Sequence, residues 1–156
     1  QLVEILDRYW IERRPDLPYA EPVDALIVAS IIEKETGRAD ERALIAGVFV
    51  RRLEKGMKLQ TDPTVIYGLG DAFDGNLRRT DLETDTPYNT YTRPGLPPTP
   101  IAMPGEAAIR AALNPAAGDA LYFVGKGDGS HVFSRTLAEH NAAVRRYQLP
   151  GGRRDQ

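Results

Sequence analysis

The segment Val23-Asp24-Ala25-Leu26-Ile27-Val28-Ala29-Ser30-Ile31-Ile32-Glu33-Lys34-Glu35 constrains this chain more than any other. It is apolar on nearly every side until its last turn, and a helix with no polar face must be buried by its neighbours. Pro22 suits the first turn of such a helix, and Gly37 reads as its left-handed terminator. A central buried helix ending in two carboxylates is therefore expected. At helical spacing Glu35 lies over Ile31 and Ile32, with Val28 one turn further back. Burial and the C-terminal end of the helix dipole both disfavour a carboxylate anion. A glutamate placed there is suited to hold a proton for acid catalysis, although glutamates in a last turn are more often solvated or paired with a cation.

The rest of the chain supplies elements to cover that helix. Leu2 to Arg13 reads as an amphipathic helix with Val3, Leu6, Trp10 and Ile11 inward, and Arg14 to Pro22 as a connector. Asp40 is the expected N-cap of a third helix, whose stripe is Leu44, Ile45, Val48, Phe49 and Leu53 and which Gly56 ends. Met57 to Thr61 is a short strand candidate, and Asp62-Pro63 opens a short helix to Tyr67. Leu82 to Pro104 is irregular and carries six of the chain's 12 prolines, namely Pro87, Pro94, Pro97, Pro98, Pro100 and Pro104. Prolines stiffen such a segment into a wall. Glu106 to Leu113 is a helix closed by Asn114-Pro115. Leu121 to Val124 and His131 to Phe133 form a hairpin around a Gly-rich turn that lacks the pattern of a phosphate loop. Thr136-Leu137-Ala138-Glu139 is a capping box opening a last helix to about Tyr147. These elements predict one α+β domain, helices packed with a few short antiparallel strands around a buried helix.

Composition narrows the function. The 156 residues carry a net charge of −2 with no basic stripe, which argues against a nucleic-acid partner. No apolar run approaches the ~18 residues of a membrane span. The chain opens at Gln1 in helix-like sequence without a visible signal peptide, and reads as a piece of a longer protein. Absence of cysteine excludes disulfides, thiol catalysis and Cys-ligated zinc. His131 and His140 form no metal motif, no Ser-His-Asp set is legible, and Arg51-Arg52 and Arg145-Arg146 read as solvated helix faces.

Two further constellations carry candidate chemistry. Gln60, Thr61 and Asp62, with Tyr67 a turn beyond, offer polar groups for sugar hydroxyls and acetamides; a plain helix cap by Asp62 is the simpler account of the same residues. Tyr88-Asn89-Thr90-Tyr91 offers flat rings for pyranose faces and amides for their substituents; a loop pinned to the core by two tyrosines explains it equally well.

Taken together, Ala29 to Thr36, Leu59 to Gly68, Asp81-Leu82-Glu83-Thr84, Tyr88 to Tyr91, Gly95-Leu96-Pro97-Pro98, Ile101 to Gly105, Tyr122-Phe123-Val124 and His131 to Asn141 resemble the YceG-like endolytic murein transglycosylases. The resemblance covers about Ala25 to Tyr147. It implies that residues 1–150 are a catalytic domain of a longer membrane-anchored protein, with 151–156 a flexible tail. It places the catalytic glutamate on Glu35, the second acid of Glu-Lys-Glu, and implies that Gln60, Thr61, Asp62, Tyr67 and Tyr88 to Tyr91 bind glycan. Glu33 has either an auxiliary orienting role or a structural one. The implied reaction is lyase chemistry without metal or organic cofactor. Glu35 protonates the oxygen between N-acetylmuramic acid and N-acetylglucosamine, then takes a proton from the 6-hydroxyl that closes a 1,6-anhydro ring. Relatives carry an N-terminal membrane helix and a LysM-like segment, so the expected setting is the outer face of the plasma membrane, limiting nascent strand length beside cell-wall synthases. A lysozyme-like hydrolase using Asp62 and a non-catalytic glycan-binding module are the alternative readings.

Overall fold

The computed structural model describes residues 1–148; the tail at 151–156 lies outside them. Among the described residues, seven helices and one two-stranded antiparallel sheet follow in the order α1 (Leu2–Ile11), α2 (Pro22–Glu35), α3 (Arg42–Lys55), α4 (Asp62–Leu69), α5 (Arg79–Glu83), α6 (Glu106–Leu113), β1 (Tyr122–Gly125), β2 (His131–Ser134) and α7 (Leu137–Tyr147). This is the expected α+β architecture. Helix α2 is its axis: Ala25, Val28, Ala29, Ile31 and Ile32 are completely buried. It packs against α6, α3, α1 and α4. Its start is fixed by Asp24, whose Oδ2 accepts from the amides of Ala20 at 2.9 Å and Glu21 at 3.3 Å.

The core continues through Ile45, Val48 and Phe49 of α3 and Ala108, Ile109 and Leu113 of α6 to Phe123 of β1. Strand β1 pairs with β2 in a register that sets Phe123 opposite Phe133 and Gly125 opposite His131. Helix α7 covers this hairpin. Thr136 Oγ1 accepts from the Glu139 amide at 3.2 Å while Glu139 Oε1 accepts from the Thr136 amide at 3.2 Å, the expected capping box. A second apolar cluster gathers Val65, Leu77 and Leu82 with Ile66, Leu69, Phe73 and Tyr91.

Several local expectations are corrected. Val3 (68% exposed) and Ile11 (79%) face solvent. The inward stripe of α1 is instead Leu2, Ile5, Leu6, Tyr9 and Trp10, a better match to helical spacing. Leu44 is likewise exposed, because Ile45, Val48, Phe49 and Arg52 occupy the buried face of α3. Glu41, not Asp40, is the N-cap of α3, and Thr36 in extended conformation, not Gly37, ends α2. Gly56 does end α3 as a left-handed cap with φ 73°. Met57 to Thr61 is not a strand, for no strand among the described residues pairs with it. Thr61 caps α4, and Asp62 is its first helical residue. Arg51 is partly buried and Arg52 almost fully so, instead of lying on a solvated face. Arg51 donates to the carbonyls of Ala120 at 2.8 Å and Ala116 at 3.2 Å, and Arg52 is 2% exposed.

Candidate active site

Glu35 is the last residue of α2 and lies half-buried where that helix leaves the core. The hydroxyl of Thr61 donates to its Oε2. Thr61 is held in turn by a small network of buried hydroxyls. Its amide donates to Thr90 Oγ1 at 3.0 Å, Thr90 Oγ1 lies 2.9 Å from Thr64 Oγ1, and Thr64 donates to the Thr61 carbonyl at 2.8 Å. The Gln60 amide donates to the Thr90 carbonyl at 3.2 Å. These bonds join the start of α4 to the proline-rich segment. They leave the Thr61 hydroxyl aimed at the carboxylate, and buried polar groups so connected are rigid.

The residues that follow Thr61 and those of the proline-rich segment are tied by further bonds. Asp62 Oδ1 accepts from the Tyr91 hydroxyl at 2.5 Å. Asn89 is completely buried; its Nδ2 donates to the carbonyls of Leu82 at 3.0 Å and Thr84 at 2.9 Å, and its Oδ1 accepts from the Tyr91 amide at 2.8 Å. Asn89 and Thr90 therefore sit in the framework of the loop. Tyr67, 46% exposed, and Tyr88 form an aromatic pair with ring centroids 4.9 Å apart, inclined at 58°. The Tyr88 hydroxyl is bonded to Thr99 Oγ1 at 2.8 Å. Gly68 permits the pair: a Cβ there would stand 3.1 Å from the Tyr88 Cβ.

Glu33 does not turn toward Glu35's partner Thr61. Its Oε1 accepts from the Gly105 amide at 2.8 Å. One turn earlier, buried Ser30 accepts from the Ile101 amide at 3.0 Å and donates to the Ile27 carbonyl at 2.6 Å. The last turns of α2 thus carry the Ile101–Gly105 strap as well as the candidate acid.

Of the residues singled out from sequence, Glu35, Thr61 and Thr90 join in one hydrogen-bond network, while Asp62 and Tyr91 bond to each other. Tyr67 and Tyr88 join each other, and Gln60 points elsewhere, its Oε1 3.5 Å from Arg52 Nη1. Sequence reading missed Arg52, Thr64 and Ser30. The signal for Arg52 was its place seven residues after Ile45 on the buried stripe of α3. Arg52 donates to the carbonyls of Leu121 and Lys58, both at 2.6 Å, and burial pulls its guanidinium below the usual arginine value. Among the described residues no group of three or more His, Cys, Asp or Glu could hold a metal ion.

A half-buried carboxylate with a hydroxyl donor can hold a proton and pass it on, the requirement of a general acid. The chain belongs to the YceG-like family, whose sequence model matches residues 2–146. It is similar to the endolytic murein transglycosylase of Bacillus subtilis strain 168, with 50% identity over 122 residues, 78% of this chain and 34% of that protein. It is also similar to the endolytic murein transglycosylase of Streptococcus pneumoniae strain D39, with 34% identity over 126 residues, 78% of this chain and 23% of that protein. A crystal structure of a yceG-like protein from Listeria monocytogenes superposes with a TM-score of 0.69 at 48% identity, covering 76% of this chain and 38% of that one. The chain therefore spans about a third or less of the length of the curated relatives it matches.

Proposed function

We propose that this domain is the catalytic part of an endolytic peptidoglycan lytic transglycosylase and that Glu35 is its acid and base. The observation that carries the reading is the Glu35–Thr61 pair, set in a chain half identical over 122 residues to a protein of that name. Protonated Glu35 gives its proton to the oxygen linking N-acetylmuramic acid to N-acetylglucosamine, and the bond from that oxygen to muramic C1 breaks. The muramic 6-hydroxyl attacks C1, and its proton returns to Glu35. The products are a new N-acetylglucosamine end and a 1,6-anhydro-muramic end, with no water consumed. Thr61 orients the carboxylate for both transfers and stabilises the charged form between them.

A hydrolytic route would call on Asp62 to activate water. Asp62 is buried at the start of α4 with the Tyr91 hydroxyl on its carboxylate, which supports the non-hydrolytic route. Tyr67 and Tyr88 are the proposed glycan contacts, Gln60 being turned toward Arg52. Asn89, Thr90 and Glu33 shape the loops around them. No described helix is long and apolar enough to cross a membrane. We assign the membrane anchor and the contacts with cell-wall synthases to the full-length protein, acting on the outer face of the plasma membrane.

The test is digestion of purified peptidoglycan by the wild-type chain and by Glu35→Gln, with products resolved by mass spectrometry. Anhydro-muropeptides from the wild type and none from the variant are expected. Reducing ends in place of anhydro ends, or equal products from both proteins, would overturn the assignment.

A further inference from the structure

A cavity of about 800 Å³ opens on the far side of the Gln60–Thr61 peptide, lined by Arg52, Lys58, Gln60, Thr92, Tyr122 and Leu137 among others. That volume falls in the range of ligand sites, roughly 300–1,000 Å³. Its chemistry is one-sided. Two cations line it, and no carboxylate stands among the described lining residues, in a chain whose net charge is −2. Arg52 forms no ion pair with a described residue; Nε and Nη1 hold backbone carbonyls and the Gln60 side chain, and Nη2 makes no bond to a described residue. A guanidinium that is 2% exposed without a counter-anion is costly unless something negative completes it. Its carbon lies 4.9 Å from the centre of the Tyr122 ring, which is itself stacked on His140 at 5.1 Å. The cation is therefore held rigidly at the cavity wall, while Lys58 is exposed at its rim.

The cavity is tied to the candidate acid by backbone geometry. Gln60 adopts a left-handed conformation with φ 53°, a strained choice for a residue with a side chain. The turn sends Gln60 toward Arg52 and the next side chain, Thr61, toward Glu35. Consecutive Cα atoms are about 3.8 Å apart, so a ligand in the cavity lies beside the segment that holds the Glu35 partner.

We propose that this cavity is a carboxylate-binding subsite, built from Arg52 and Lys58, that receives a carboxylate of the peptide branch on the muramic residue. The proposal rests on the peptidoglycan reading above, since it is the peptide branches of that polymer that supply free carboxylates within reach of the cut. Arg52 offers unused N–H donors and Lys58 a mobile charge, the pairing that recognises carboxylates over neutral amides.

The test measures binding of two soluble probes by isothermal titration to the 156-residue chain. Both are N-acetylglucosamine–N-acetylmuramic acid carrying its peptide, one with free carboxylates and one with all of them amidated. Neither contains the muramic-to-glucosamine bond, so neither is cut. The free acid is expected to bind about tenfold more tightly than the amide, as charge-assisted hydrogen bonds are stronger than neutral ones. The preference should shrink as salt is raised. Because Arg52→Gln removes two backbone tethers and threatens the fold, the variant is Lys58→Glu, whose side chain makes no bond to described residues; its preference should fall to about twofold or less. Equal binding of acid and amide by the wild type, or an unchanged preference in Lys58→Glu, overturns the proposal. A chain that keeps the preference but releases no anhydro ends from peptidoglycan would retain the subsite and lose the transglycosylase assignment.

Discussion

Thr61 donates its hydroxyl to the carboxylate of Glu35 from 26 residues further along the chain, and its backbone is held there by Thr90 Oγ1 on its amide and the Thr64 hydroxyl on its carbonyl. Thr61→Val removes that donor while keeping shape. A hydrogen bond to a charged group contributes about 1.5–3 kcal/mol, so release of anhydro ends should slow by about 10- to 100-fold. Thr61→Ser should recover most of the rate. Rates measured at saturating peptidoglycan, beside thermal melts, separate this from a folding defect; an unaffected Thr61→Val would remove Thr61 from the chemistry.

The Tyr91 hydroxyl reaches the buried Asp62 carboxylate at 2.5 Å. Tyr91→Phe leaves that carboxylate short of a donor and should cost about 1–3 kcal/mol of stability. Urea unfolding reads the change directly. An unchanged midpoint would mean that other partners of Asp62 satisfy it.

Gly47 lies inside α3 with no room for a methyl group: a Cβ there would stand 2.7 Å from the Ala116 carbonyl oxygen. That backbone is anchored, since the Ala116 amide donates to the Ala43 carbonyl at 2.9 Å. Ala is the better helix former by about 1 kcal/mol, yet overpacking against fixed backbone costs about 1–3 kcal/mol and should win. Gly47→Ala is expected to melt below the wild type.

The proline-rich segment is clamped at its start by Asp85, which accepts from Arg93 at 2.9 and 3.0 Å and from Thr92 at 2.7 Å. Those bonds, the Arg93 contact foremost, lower the Asp85 carboxyl from 3.8 to about 2. A depressed folded-state value means that the clamp is complete above the unfolded value of 3.8 and is lost as pH falls through about 2. Carbon-13 titration of the Asp85 carboxyl should place its midpoint near 2 in the wild type and higher in Arg93→Gln.

Long elements with clear periodicity were legible in the sequence: α2 from its unbroken apolar surface, α6 and α7 from spacing and caps, the hairpin from its Gly-rich turn. Short or non-local features were not. Helix α5 and the 3-10 turn at Gly70–Ala72 are too brief for any period to show. The irregular path of Met57 to Thr61 depends on bonds to Thr90 and Arg52, residues that sequence alone does not bring together. The same holds within the site. The place of Glu35 at the end of the buried helix was legible in the sequence, and the family resemblance singled it out as the candidate acid, whereas the bond from Thr61 and the burial of Arg52 depend on carbonyls and hydroxyls many residues away. Of the candidate contacts, Tyr67 and Tyr88 stand at the surface as a pair, while Asn89 is turned wholly inward by carbonyls five and seven residues before it.

Helix α2 is enclosed by α1, α3, α4 and α6 and by the strap that Ser30 and Glu33 tether. Its final carboxylate is therefore positioned by the interior and hardly at all by the outer skin of the domain. Charged residues on the outward faces of α1 and α7 can be exchanged with little consequence for where Glu35 sits, whereas trimming one methylene from Ile31 or Ile32 should shift it. Surface character and the position of the Glu35 carboxylate are thereby separable traits in this fold.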